Sequence, residues 1–236
     1  MPRLRRLPAV LVCALAFCGA AAAAATNAPQ YQLASADQIW AESIVVTSKD
    51  VGAGWSRSGT IGPITGADDE SATCSVPDES DLVLTGGSYS PDFFRNDGAY
   101  VSSSAMVWQT AEQAQADWDR HIQPGLLSCL AADLQASSTK RIKVRVTSRR
   151  QLTWPAMADR SAVFRLSVLL TATVKANTKT RRVSARATAD FIAVGTGRAT
   201  AMLATLSFNR QPLGDFNKQQ LAMLMARRMA VDPATK

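Results

Sequence analysis

Residues 140–208 hold four β-prone runs joined only by short turns, and nothing else in the chain narrows the fold as much. Residues 140–152 alternate. Ile142, Val144 and Val146 point one way and Arg141, Lys143, Arg145 and Thr147 the other, which is the period of a half-buried strand. Residues 162–175 (AVFRLSVLLTATVK) are rich in the side chains that pack on a pleated surface. A polar turn around Asn177 leads into a strand over 182–194. Gly195-Thr196-Gly197-Arg198 then turns the chain into residues 199–208 (ATAMLATLSF). Strands linked this closely pair with their sequence neighbours, so the expectation is an antiparallel meander.

Helical patterns flank this block. Residues 100–109 (YVSSSAMVWQ) read as one more strand, and Thr110 with Gln113 makes a capping-box pair that starts a helix. Ala114, Trp118, Ile122 and Leu126 recur every four residues as an apolar stripe, and Pro124-Gly125 interrupts it with a kink or a break into two helices. Asp215 is placed to cap a last helix over 216–230, with Phe216, Leu221, Leu224 and Met225 inward. Upstream, 26–42 reads as a polar tether with a short helical turn near 36–43. Residues 48–55 read as turns. Residues 56–98 read as irregular structure pinned by Cys74, with a short strand near 81–84. The expected fold is α+β: an antiparallel meander sheet with helices packed on one face, in a single domain over 43–230, with 231–236 fraying.

The first residues set the compartment. Arg3, Arg5 and Arg6 precede an apolar stretch from Leu7 to Phe17, then a run of alanines with a cleavage pattern at Ala23, Ala24 and Ala25. About eleven apolar residues are too few to span a bilayer, so 1–25 reads as a secretory signal cut after Ala25, with no transmembrane helix after its removal. A retained anchor is the competing reading. Acylation at Cys18 fits poorly behind the bulky Phe17. Removing three arginines takes Lys plus Arg from 26 to 23 against 19 acids, so a net charge of +7 becomes +4. That mild basicity does not mark a nucleic-acid binder. The mature chain keeps Cys74 and Cys129. In an oxidising compartment such a pair reads as one disulfide, worth roughly 4 kcal/mol for a loop of about fifty-five residues.

Catalytic signatures are missing from the local sequence. His121 is the single histidine and reads as a partly exposed helix residue, and two cysteines with one histidine make no metal-ligand cluster, so no metal and no cofactor are expected. There is no Gly-x-Ser-x-Gly elbow, phosphate-binding glycine loop or His-Glu-x-x-His. The acidic groups Asp68-Asp69-Glu70 and Asp78-Glu79-Ser80-Asp81 lack a calcium-loop pattern and read as solvated loop acids. Arg141, Lys143 and Arg145, with the basic hairpin tip at Lys175, Lys179, Arg181 and Arg182, form the best candidate face for an anionic ligand. The competing reading is a solvated outer sheet face. Trp108, Trp118 and Trp154 are assigned to the core.

Three segments carry a resemblance. Residues 48–55 turn into a Gly-Trp pair after a short apolar run. Residues 101–129 give strand, Thr-Ala-Glu-Gln-Ala at a helix start and a cysteine near the helix end. Residues 191–229 give strand, glycine-centred turn, strand and amphipathic helix. In this order the chain resembles the PknH-like extracellular sensor domain family of secreted actinobacterial proteins. The resemblance implies a sheet with packed helices, disulfide stapling, a ligand cleft and no enzymatic activity. The family's kinase domain has two disulfides where this chain has one pair, and no kinase is attached here, so any sensing would pass through a separate partner.

The functional expectation is an exported, non-catalytic ligand-binding or sensor-like module of the cell envelope. Its partner would be a small ligand, an anionic envelope polymer or an envelope protein, and not nucleic acid. A third reading is a hydrolase with a spatially assembled acid site, which requires two close carboxylates in a cleft, one with a raised pKa.

Overall fold

The computed structural model describes residues 27–64, 77–123, 125–139, 142–176, 179–208 and 213–233. In chain order the elements are β1 (Gln30–Tyr31), α1 (Ser35–Ile44), α2 (Ser48–Val51), β2 (Trp55–Ser58), β3 (Gly62–Pro63), β4 (Val83–Tyr89), β5 (Asp92–Arg95), β6 (Tyr100–Trp108), α3 (Ala111–His121), α4 (Leu126–Ala136), β7 (Ile142–Leu152), β8 (Arg160–Ala176), β9 (Lys179–Thr196), β10 (Ala199–Phe208) and α5 (Asp215–Met229). They build an α+β fold on one open, mostly antiparallel sheet, ordered β1-β4-β6-β10-β9-β8-β7, with β2, β3 and β5 attached beside β4 and β6. The meander over β7–β10 is present, and β6 extends it by pairing antiparallel with β10. Among the described strands only β1 runs parallel, against β4.

Helices cover both faces of this sheet, not one. Val101, Ala105, Val163, Ile192, Val194 and Leu203 form a core with Trp40, Ala41 and Ile44 of α1 and Leu221, Met225 and Met229 of α5. Residues of opposite parity on the same strands, Leu166, Val168, Ala187 and Ala189, pack with Ala131 of α4. Trp108 packs with Ala114 of α3 on that second face. The physical reason lies in the sequence: 162–164 (AVF) and 191–194 (FIAV) are runs of consecutive apolar residues, the pattern of strand segments buried on both sides. Ile192, Ala193 and Val194 are consecutive and all buried. The edge strand β7 alternates exposed with half-buried residues over 143–147, with a register shift between Val146 and Ser148.

Three other expectations are corrected. The 26–42 tether is part of the fold: Gln30 and Tyr31 pair with β4, and Trp40 of α1 is buried in the core. The 56–98 stretch, read as irregular, contributes four strands, β2 to β5. Its glycines misled the reading because they look like turn residues. Gly86 and Gly87 lie inside β4, where a Cβ on Gly86 would collide with the Asp37 carbonyl of α1 and one on Gly87 with Ile64. At the last helix, Gly214 is the N-cap, and no side chain caps it. Asp215 instead pairs with Arg165, and Phe216 is 69% exposed while Lys218 is buried in its place.

The break at Pro124-Gly125 yields two helices, α3 and α4. Thr110 caps α3 by accepting from the Gln113 N–H at 3.2 Å. The Gln113 side chain makes no reciprocal bond but accepts from the Val83 N–H, which ties α3 to β4.

Candidate functional site

Three ionisable side chains meet where α3 passes the loop ahead of β4. Asp117 and His121 are one turn apart on α3 and share a face. Glu79 comes from the loop, which Arg120 clamps to the helix through both oxygens of Asp81, at 2.6 and 2.8 Å, and the Asp78 carbonyl at 2.7 Å. His121 Nδ1 lies 2.9 Å from Asp117 Oδ1 and 3.2 Å from Glu79 Oε1. Asp117 Oδ2 accepts from Thr200 Oγ1 at 3.3 Å, and Thr200 Oγ1 accepts from Trp108 Nε1 at 3.3 Å. Glu79 and Asp117 are 7% and 4% exposed. The Nδ1 direction is spent on Asp117, so the approach to Glu79 is charge contact. Glu79 Oε1 is buried without a hydrogen-bond partner among the described residues.

Burial and the charges around it set the protonation of this group. Burial raises the Glu79 pKa to about 7; the nearby His121 charge opposes the rise and the Asp117 carboxylate adds to it. For His121 burial works against the imidazolium. The hydrogen bond and charge of Asp117, with the charge of Glu79, outweigh it and bring the pKa up to about 9.

His121 is a partly exposed helix residue, as expected, and it is also held between two buried carboxylates. Glu79, read as a solvated loop acid, is buried. The signal for Asp117 and His121 was their spacing on a helix; Glu79 is joined to them only by the tertiary fold. Of the other loop acids, Asp68, Asp69 and Glu70 lie outside the described residues.

Two hollows open on the same face of the sheet. One, of about 110 Å³, lies under α3, between Trp118 and Ile122 above and Met106 and Met202 below, with Asp117 and His121 at its edge. The other is an open groove of about 460 Å³ and shares Met202 with the first. Its floor is Ser102, Ser104, Ala204 and Phe191, and Tyr89 and Tyr100 stand beside it. Tyr89 and Ser104 are cross-strand partners, which puts them on one face. Tyr100 donates to Asp92 Oδ1 at 2.7 Å, and burial, with that carboxylate, raises its pKa to about 12.

The residues singled out from the sequence lie elsewhere. Lys143 and Arg145 are exposed on β7, and Arg141 lies outside the described residues. The register carries Arg145 across Leu169 to Arg186 of β9, so Arg186 joins the same face, with the exposed Arg182 further along β9. This basic face is on the α5 side of the sheet, opposite the groove. Cys129 is on α4 and Cys74 lies outside the described residues. Trp108 is fully buried, and Trp154 packs against the α1–α5 core. Trp118 is half-buried, with Arg160 over its ring at 5.8 Å.

No family model matches the chain, and no curated protein is similar to it. A solved structure is similar to the chain. It is the crystal structure of the extracellular domain of PknH from Mycobacterium tuberculosis, with a TM-score of 0.42 and 8% identity over 81% of this chain and 95% of that one. Among the described residues no helix is long and apolar enough to cross a membrane.

Proposed function

We propose that this chain is an exported, non-catalytic binding module of the cell envelope, and that its ligand lies in the groove on the α3 face. The observation that carries the reading is the groove: about 460 Å³, within the range of small-molecule sites, on a rigid sheet floor. Ser102, Ser104 and Tyr100 offer hydroxyls, and Phe191 and Met202 offer apolar contact. That mixture suits a neutral, hydroxyl-bearing ligand held by hydrogen bonds and ring contact. Export rests on the N-terminal signal pattern and the two cysteines of the mature chain.

A paired-carboxylate hydrolase is favoured by one observation, the closeness of Glu79 and Asp117 with the raised Glu79 pKa. Two facts weigh against it. Glu79 does not line the hollow that Asp117 borders, and His121 stands between the two acids. A carboxylate pair that splits a bond needs both groups on the substrate.

The test is native mass spectrometry of the exported, processed protein, followed by ligand-observed NMR with sugars and polyols. Ser104→Phe should fill the groove floor, abolish binding and leave the circular dichroism unchanged. Binding that survives Ser104→Phe places the ligand elsewhere.

A further inference from the structure

We propose that Glu79, Asp117 and His121 form a binding site for a divalent transition-metal ion of the zinc class. One donor atom from each residue lies within 4.8 Å of the other two. Ligand atoms around a tetrahedral zinc with bonds of about 2.0–2.1 Å stand about 3.3 Å apart. His121 Nδ1 is 3.2 Å from Glu79 Oε1 and 2.9 Å from Asp117 Oδ1, so small outward shifts admit an ion between them.

The donors' surroundings fit that role. Glu79 Oε1 is aimed at the centre of the group, buried and without a hydrogen-bond partner among the described residues. The His121 ring nitrogen lies 3.2 Å from that oxygen without a hydrogen bond to it, and a metal ion that displaces the ring proton would bind both atoms directly. Asp117 presents Oδ1 to the group while Thr200 holds Oδ2, and Trp108 holds Thr200, the outer arrangement that orients metal ligands. Asp78 and Asp81 take no part: Asp78 Oδ1 accepts from the Ser80 N–H at 3.0 Å, and Arg120 holds both oxygens of the Asp81 carboxylate.

The donor set also selects the ion. One imidazole with two carboxylates suits zinc, cobalt, nickel or manganese, whereas calcium requires six to eight oxygens. Three protein donors leave a fourth position open, and the hollow under α3, bordered by Asp117 and His121, lies next to it. The site stands independently of any ligand in the serine-floored groove.

The chain contains one histidine, so an imidazole signal is unambiguous in a tag-free protein. The experiment uses the exported, processed protein, freed of metal by chelator and labelled with ¹⁵N in histidine. Zinc chloride is titrated while the ring nitrogens are observed, and cobalt chloride is titrated in parallel by visible absorption. The expected result is a shift of the Nδ1 resonance complete at one equivalent of zinc, and cobalt bands of a low-coordinate site. Glu79→Gln and Asp117→Asn should each weaken zinc binding about tenfold or more. An imidazole resonance that ignores zinc, with no cobalt bands, overturns the proposal and leaves the group an imidazolium held by two acids. The wild-type titration decides the question even if a variant fails to fold.

Discussion

The backbone carbonyl of Asp37 occupies the space in which a side chain on Gly86 would begin. Helix α1 therefore lies directly on the backbone of β4, and Trp40, Ala41 and Ile44 reach the core because of that approach. Gly86→Ala should push α1 outward and cost about 2–3 kcal/mol, the range of overpacked cores. Gly125, with nothing within 4 Å of its added Cβ and a φ of −70°, is the control. Urea unfolding of both variants checks this. Equal midpoints would mean that α1 is not seated on β4.

Asp190 is fully buried and paired with two cations, Lys218 and Arg165. Lys218 is itself buried, and Asp215 adds a second carboxylate to the network. Removing the acid leaves the buried Lys218 to Asp215, which is 3.5 Å away and 47% exposed, whereas removing Lys218 leaves Asp190 with Arg165. Asp190→Asn should then cost about 3–5 kcal/mol and Lys218→Met less than half of that. Thermal unfolding of the two single variants and the double variant gives the coupling. Equal costs would refute the asymmetry.

Acid should loosen the chain terminus from α1. Arg198 grips Asp37 at 2.6 and 2.7 Å and Asp232 at 2.8 and 3.0 Å. The Arg198 hydrogen bond holds the Asp37 pKa below its ordinary 3.8, against the opposing effect of burial. The folded state thus binds fewer protons here than the unfolded state. The stabilisation is fully present above the unfolded pKa and is lost as pH falls through the folded one. Asp37→Asn should flatten stability between about pH 5 and pH 2 and lower it near neutrality by about 2 kcal/mol. Chemical denaturation at several pH values checks it, and an unchanged pH slope would contradict it.

The long strands, the turn between β9 and β10 and the break into two helices were legible because each depends on local sequence. Residues 199–208 needed only their composition and the glycines ahead of them, and β10 covers the same residues. What escaped depends on distant partners. Gly86 reads as a turn residue until α1 is placed over it. Phe216 reads as core until Lys218 takes the inward position to reach Asp190. The Glu79–Asp117–His121 group was half legible, since Asp117 and His121 are four apart on a helix, but no local rule brings Glu79 to them across 38 residues of chain.

If the chain is exported, Cys129, on α4, is expected to be bonded to Cys74. The bond would staple the segment ahead of β4 to the second face of the sheet. Free-thiol labelling of the denatured, unreduced protein should modify neither cysteine, and reduction should lower stability by up to roughly 4 kcal/mol. Labelling of both residues before reduction would refute the pairing.

The basic face offers a prediction separable from the groove. Lys143 and Arg145 are exposed on β7, Arg186 continues their row on β9, and Arg182 lies beyond it. The row runs along the α5 side of the sheet, and Lys143, Arg145 and Arg186 are exposed, so none of the three is a core residue. If the face meets anionic polymer, binding must weaken with salt, because screening acts over about 10 Å at 0.1 M. Replacing Lys143, Arg145 and Arg186 by Ser should weaken binding to a sulfated or phosphorylated polymer about tenfold and flatten its salt dependence. Ser104→Phe should leave that binding unchanged, since Ser104 is on the opposite face. Polymer affinity indifferent to the three substitutions would reduce the row to a solvated face that keeps edge strand β7 from pairing with another chain.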